Sequence, residues 1–350
     1  MQGDVARHVR LDTTFGVGGL GCIQIPGDTE AWSAARDPGT GRIVLTGSAP
    51  GVGLPIVCLK ADGTADTNCL GGNGNVVIGG LPGAPASTAS PSGLGVAFDA
   101  KGRIVIVGGD GDPLNPAQWG FIARLDPTTE NYDPTFNKGQ PIYLQTVSGF
   151  TAVMTDGVLI YAAGASNAPS KTGYDETRRY TEAGDLDLSW AGGGGYNSYN
   201  VGDSTSKVDV PRRIFRSTPQ SGNFAVAGSG NGHPAANHYL SGCMIRSGYI
   251  APGATWNPSG TLVDGATVQC DGKLVLGGWT GASDRSGSLV RLTALGNAID
   301  PTFGTGGTVA ALGGASANTF STVMFDDKTG TLVVGLNNND TAVTLLRLIP

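Results

Sequence analysis

Apolar residues along this chain come in short runs, each framed by two glycines: GRIVLTG from Gly41, GRIVIVG from Gly102, GVLIYAAG from Gly157, GNFAVAG from Gly222, GKLVLGG from Gly272 and GTLVVG from Gly330. Four or five apolar residues between turn formers read as a buried strand and are too few for a helix. Half-apolar segments such as GVAFDAKG precede the runs, and segments such as GFIARLD or SLVRL follow them after a polar loop. A turn of the type D-x-T-F and a glycine-rich stretch then lead into a last short strand. The leading glycines are 61, 55, 65, 50 and 58 residues apart, so the repeating unit is a four-stranded meander.

One such sheet has two faces to bury and cannot bury both alone. Six of them predict an all-β fold, a six-bladed β-propeller of four-stranded antiparallel blades packed face to face around an axis. A solenoid is the alternative, and it requires polar capping repeats at its ends. The last unit reaches only its third strand, at LLRLIP, while Phe15 to Pro26, FGVGGLGCIQIP, supplies a turn and an outer strand. The pattern therefore predicts a ring closed by the N-terminal strand pairing into the last blade. Residues 11–350 form one domain in this reading, with residues 1–10 as a disordered leader.

The unit from Asp271 to Gly307, DGKLVLGGW followed by LVRLTALGNAIDPTFGTGG, resembles the delta-60 repeat family, a β-propeller domain of unknown function. The resemblance runs from Leu11 to Pro350. It is good in the second unit, Val96 to Gly139, and degraded in the fourth, Arg213 to Gly260, where Trp256 takes the Phe position and the turn lacks its Asp. The resemblance implies the repeat and the propeller, and is silent on activity.

The 58 glycines and 20 prolines leave little room for long helices, and a hydrophobic fraction of 39% supports a packed core. A net charge of −6 argues against nucleic acid as a partner, since a phosphate footprint needs a clustered basic face. The densest basic cluster, Arg212, Arg213 and Arg216 beside Asp203 and Asp209, reads as a solvated strand edge. No apolar run approaches 18 residues, so no membrane insertion is expected. Abundant Gly, Ser, Thr and Asn with five cysteines favour a secreted or cell-surface bacterial protein, as a monomer or as part of a larger surface protein.

Arg124 with Asp133 and Arg291 with Asp300 look at first like paired catalytic groups. One reaction needs one constellation, so a pair present in several units reads as a lock on the hairpin between third and fourth strands. Phe136, Trp190, Trp256 and Phe303 then serve as packing between blades. GVGGLG at Gly16 satisfies G-x-G-x-x-G, but no helix follows it and GTGGTV in a later unit marks it as a blade turn. PGATW before Asn257 lacks the Ser and Asp of a sialidase Asp box, with Tyr249 and Ala251 in those places. Nucleophile-elbow, zinc-protease, phosphate-loop and EF-hand motifs are absent. Cys58 occupies the strand-three Arg position and Cys69 the turn Phe position, which suggests a disulfide in place of the lock or two small buried thiols. Cys243 and Cys270 are a second candidate pair, leaving Cys22 free.

Loops between second and third strands, and from each fourth strand to the next first strand, gather on one face of a propeller, and function usually resides on such loops. Candidate binding residues there are Asp110, Asp112, Trp119, Asp175, Glu176, His233, His238, Trp279, Asp284, Arg285 and Asp340. His233 and His238 are five apart and suit metal ligation or base catalysis. Asp110, Asp175, Asp284 and Asp340 offer oxygen ligands for calcium if they converge. Without a catalytic signature, the leading expectation is a binding or adhesion module for a glycan, peptide or protein. The alternative is a hydrolase or lactonase with a metal- or carboxylate-based site at the central channel mouth, an expectation from fold analogy.

Overall fold

A computed structural model describes residues 9–18, 20–23, 30–49, 51–84, 91–110, 119–166, 175–199, 210–216, 224–230, 233–239, 245–250, 262–280, 286–294, 298–310, 318–338 and 342–350. Two N-terminal segments, β1 (Arg10–Leu11) and β2 (Leu20–Ile23), precede the first sheet. That sheet holds β3 (Glu30–Arg36), β4 (Ile43–Ser48), β5 (Leu54–Leu59) and β6 (Asn75–Ile78). The second has β7 (Pro91–Phe98), β8 (Ile104–Asp110), β9 (Gly120–Leu125) and β10 (Ile142–Leu144), and the third β11 (Val147–Thr155), β12 (Ile160–Ser166), β13 (Asp175–Tyr180) and β14 (Tyr196–Tyr199). The fourth contains β15 (Val210–Arg216), β16 (Phe224–Gly230), β17 (His233–Tyr239) and β18 (Ile245–Ile250), and the fifth β19 (Leu262–Val268), β20 (Leu274–Thr280), β21 (Ser286–Leu292) and β22 (Thr308–Ala310). The closing sheet comprises β23 (Asn318–Asp326), β24 (Thr331–Asn338) and β25 (Ala342–Ile349), joined by β1 and β2.

All these sheets are antiparallel meanders, and their first strands touch in a closed cycle: β3 on β7, β7 on β11, β11 on β15, β15 on β19, β19 on β23, and β23 back on β3. That is a β-propeller with its axis along the first strands. Side-chain hydroxyls stitch the cycle, as where Ser33 Oγ accepts from the Val96 amide and Thr322 Oγ1 accepts from the Ala34 amide, each at 3.3 Å. Core clusters lie between successive sheets, for example Val44, Ile56, Val96, Ile106 and Phe121 between the first and second.

The expectation of six four-stranded blades needs correcting. Five sheets are four-stranded, and the closing one has five segments because both N-terminal pieces pair with β25. β2 runs Leu20 opposite Leu346 to Ile23 opposite Val343, and β1 sets Leu11 opposite Leu348 and Arg10 opposite Ile349. In other sheets the position matching Leu11 makes a single bridge, such as Leu59 with Ala65 or Leu125 with Tyr132. There a tight loop carries the chain directly between the two bridged residues. No such loop links Leu348 to Leu11, so the pairing extends one residue further.

The recurring Arg and Asp are locks. Arg124 Nε donates to Asp133 at 2.7 Å while its guanidinium lies 5.0 Å from the centre of the Phe136 ring. The same triplet returns as Arg179, Asp187 and Trp190, as Arg291, Asp300 and Phe303, and as Arg347, Asp12 and Phe15 across the ring closure. In the first sheet a buried Cys58–Cys69 disulfide replaces the triplet, and Arg42 takes over Asp66 at 2.7 Å. Cys270 is a free, exposed thiol in the hairpin between β19 and β20, with Asp327 accepting from its Sγ at 3.4 Å, which corrects the pairing with Cys243. Cys243 and the Cys22 side chain lie outside the described residues.

These carboxylates set the acid limit of the fold. Burial works against the charge of Asp300, but hydrogen bonds from Thr302 and pairing with Lys273 and Arg291 outweigh it and hold its pKa at about 2. A depressed folded pKa means that the stabilisation is present above the unfolded value near 4 and is lost as pH falls towards 2. Thermal unfolding should therefore show a flat melting temperature above pH 5 and a steep fall below pH 4. Asp300→Asn should melt lower at neutral pH and show a shallower acid limb.

Candidate functional site

Each first strand carries a β-bulge near its start. The registers jump at Ala31/Ser33, Gly93/Gly95, Phe150/Ala152, Pro211/Arg213, Val263/Gly265 and Phe320/Thr322, leaving Trp32, Leu94, Thr151, Arg212, Asp264 and Ser321 as the extra residues. A bulge increases local twist and re-aims a side chain. Since every first strand runs from the loop face towards the hairpin face, the six bulges form a ring near the loop-face mouth of the channel.

The bulge also explains the second glycine of the sequence repeat. It carries a first-strand carbonyl over the second strand, so that a Cβ at Gly108 would lie 1.8 Å from the Ser92 oxygen and one at Gly164 2.1 Å from the Gly149 oxygen. Gly164→Ala must push two backbones apart, and we expect a loss of about 2 kcal/mol in unfolding free energy, measurable by urea denaturation.

At the mouth three ring members converge. The Arg212 guanidinium lies 6.0 Å from the Trp32 ring centre, reaching across from the fourth sheet to the first, and its Nε is 3.7 Å from Asp264 of the fifth. Both charged side chains retain just under a fifth of their surface, 19% for Arg212 and 18% for Asp264. Leu94, Thr151 and Ser321 are buried, and Thr151 Oγ1 donates to the Pro211 carbonyl, tying the third sheet to the fourth.

Directly after the ring, Arg213 braces the channel. Its Nη1 donates to the Arg212 carbonyl at 2.7 Å, and its Nη2 donates to the Trp32 carbonyl at 2.9 Å and to the Ser321 carbonyl. One guanidinium thus holds bulge carbonyls of three sheets. Burial, offset in part by Asp264 and reinforced by the Arg212 charge, lowers the Arg213 pKa to about 10, leaving it cationic at neutral pH. On the hairpin side lies a cavity of about 290 Å³ whose lining begins one or two residues after each bulge, with Ala35, Ala97, Met154, Ile214, Thr267 and Met324 among its walls.

The residues expected from the loops fare differently. Asp175 and Glu176 open β13 and are buried at 0% and 2% exposure, with Glu176 ion-paired to Arg178, so they belong to the interior of the third sheet. Their loop ends earlier than the composition suggested, because Asp175 already pairs in register with Ala165 and Tyr199. His233 and His238 likewise lie on β17, opposite Gly230 and Ala225, rather than in a loop. Trp119 is half-buried and edge-on to Tyr143 at 6.3 Å, and Trp279 pairs within β20 opposite Leu262. Asp110 ends β8. Its side chain, those of His233 and His238, and all of Asp112, Asp284, Arg285 and Asp340 lie outside the described residues. Among the described residues no group of three or more His, Cys, Asp or Glu side chains is placed to hold a metal ion, and Asp175 is fully buried.

Arg212 and Arg213, expected on a solvated edge, instead occupy an inner strand that faces the channel. Trp32, Arg212 and Asp264 were missed for want of one alignment. Each bulge residue stands five positions before the polar residue that ends its half-apolar segment, Asp37, Asp99, Asp156, Ser217, Gln269 or Asp326, and that column was readable in the sequence.

No family model matches the chain, and no curated protein matches it. Among solved structures it is similar to a gluconolactonase from Xanthomonas campestris, at 14% identity and a TM-score of 0.51 over 98% of this chain and 95% of that one. It is also similar to a protein of unknown function from Dyadobacter fermentans, at 12% identity and a TM-score of 0.59 over 98% of this chain and 99% of that one. At such identities the likeness concerns the fold, and together with the cycle of antiparallel sheets it establishes this chain as an all-β propeller.

Proposed function

We propose that the chain is a secreted or cell-surface binding module, a six-bladed propeller of the delta-60 type that recognises a glycan, peptide or protein at the loop-face mouth. One observation carries the reading: six positions with the same bulged backbone hold six different side chains, Trp32, Leu94, Thr151, Arg212, Asp264 and Ser321. Repetition of the same residues from unit to unit signals architecture, as with the Arg and Asp locks of four sheets. Variation at a structurally repeated position signals recognition. The buried Cys58–Cys69 disulfide supports an oxidising compartment, and no described helix is long and apolar enough to cross a membrane.

A lactonase reading would need carboxylates or metal ligands at the mouth. The described mouth offers one carboxylate, Asp264, beside the guanidiniums of Arg212 and Arg213, a donor set suited to holding an anion. Screening the protein on glycan and peptide arrays, then repeating the positive spots with Trp32→Ala, tests the proposal. We expect binding that falls at least tenfold in the variant while the melting temperature stays within a few degrees. Binding indifferent to Trp32, or turnover of a lactone by the wild type, overturns it.

A further inference from the structure

Resting on the mouth as the ligand seat, we infer that it selects a sugar bearing a carboxylate, a uronate unit, with Arg212 as the group that takes the acid. The Arg212 guanidinium has five N–H donors, yet among the described residues it makes no hydrogen bond: Asp264 stands at 3.7 Å, and the Trp32 ring lies against it at 6.0 Å. A guanidinium held largely out of water with its donors unused is costly unless an acceptor arrives. Stacking on the indole removes much of the freedom of its long side chain, so that the planar fork is presented in one orientation.

The local charge selects the type of anion. Arg212 and Arg213 are adjacent and Arg213 is committed to three backbone carbonyls, whereas among the described residues Asp264 is the carboxylate paired with Arg212, so that the described mouth carries one positive charge in excess. A monoanion neutralises it. A phosphate dianion would bring a second negative charge against Asp264, whereas a planar carboxylate matches the Arg212 fork in bidentate fashion. Asp264, acceptor-only when ionised, then suits the hydroxyl next to a uronate carboxylate. A peptide C-terminus offers the carboxylate without that hydroxyl.

The experiment uses the full chain and a panel of tetrasaccharides containing galacturonate, glucuronate or mannuronate, each compared with its methyl ester by isothermal titration. A free acid should bind at least tenfold more tightly than its ester. Arg212→Gln should lose at least tenfold for the acid and nothing for the ester, while Arg212→Lys, which keeps the charge but not the fork, should fall between. Circular dichroism melts of both variants confirm that they fold, and should one fail to, the comparison of acid with ester on the wild type still decides. Equal binding of acid and ester, wild-type affinity in folded Arg212→Gln, or no binding of any uronate overturns the inference. The binding-module reading survives those results if neutral glycans or peptides bind with loss in Trp32→Ala, and fails only if they do not.

Discussion

Arg124→Ala is expected to lower the free energy of unfolding by about 4 kcal/mol, the range found when one partner of a buried ion pair is removed. Arg124 is 1% exposed. Its Nε donates to Asp133 at 2.7 Å, its Nη2 to Thr135 at 3.0 Å and its Nη1 to the Glu182 carbonyl of the neighbouring sheet at 2.8 Å. Truncation leaves Asp133 with Arg103 at 2.9 Å as its remaining ion-pair partner and opens a void over Phe136. Urea denaturation at pH 7 measures the loss. Asp133→Asn alongside it separates charge from packing: if Arg124 acts through the ion pair, the double variant should be well short of the sum of the singles.

Arg213→Met should cost about 3 kcal/mol, since it removes three charge-assisted hydrogen bonds and leaves the Arg212, Trp32 and Ser321 carbonyls to whatever water the channel admits. The sum of those bonds overstates the loss, because keeping Arg213 charged already carries the burial cost that lowers its pKa to about 10. Arg213→Lys should recover part of it, as a compact ammonium has three donors but a shorter reach. Chemical denaturation of both variants gives the comparison. An unchanged midpoint for the methionine variant would mean that the sheets hold the ring without this brace.

The repeat was legible because packing and turn chemistry act locally. Glycines framing apolar runs mark strands, and the D-x-T-F turn marks the hairpin that Asp133 and Asp300 cap through Thr135 and Thr302. The exchange of the lock for Cys58 and Cys69 followed from their positions in the repeat, and the disulfide is there. The mouth was less legible, because a bulge shifts which side of a strand a residue faces. Arg212 and Arg213 look alike in sequence, yet one stacks on Trp32 and the other spans three sheets. Asp175 and Glu176 misled for the opposite reason: charged residues beside a polar segment resemble a loop, while here they are the first two residues of the strand and Arg178 neutralises Glu176 inside the sheet.

The bulge ring makes the molecule retargetable. Its backbone repeats one bulge near the start of every first strand, and Trp32, Arg212 and Asp264 fill the three places that converge at the mouth. Exchanging residues at those three addresses would write a new specificity while the bulged backbone that presents them stays the same.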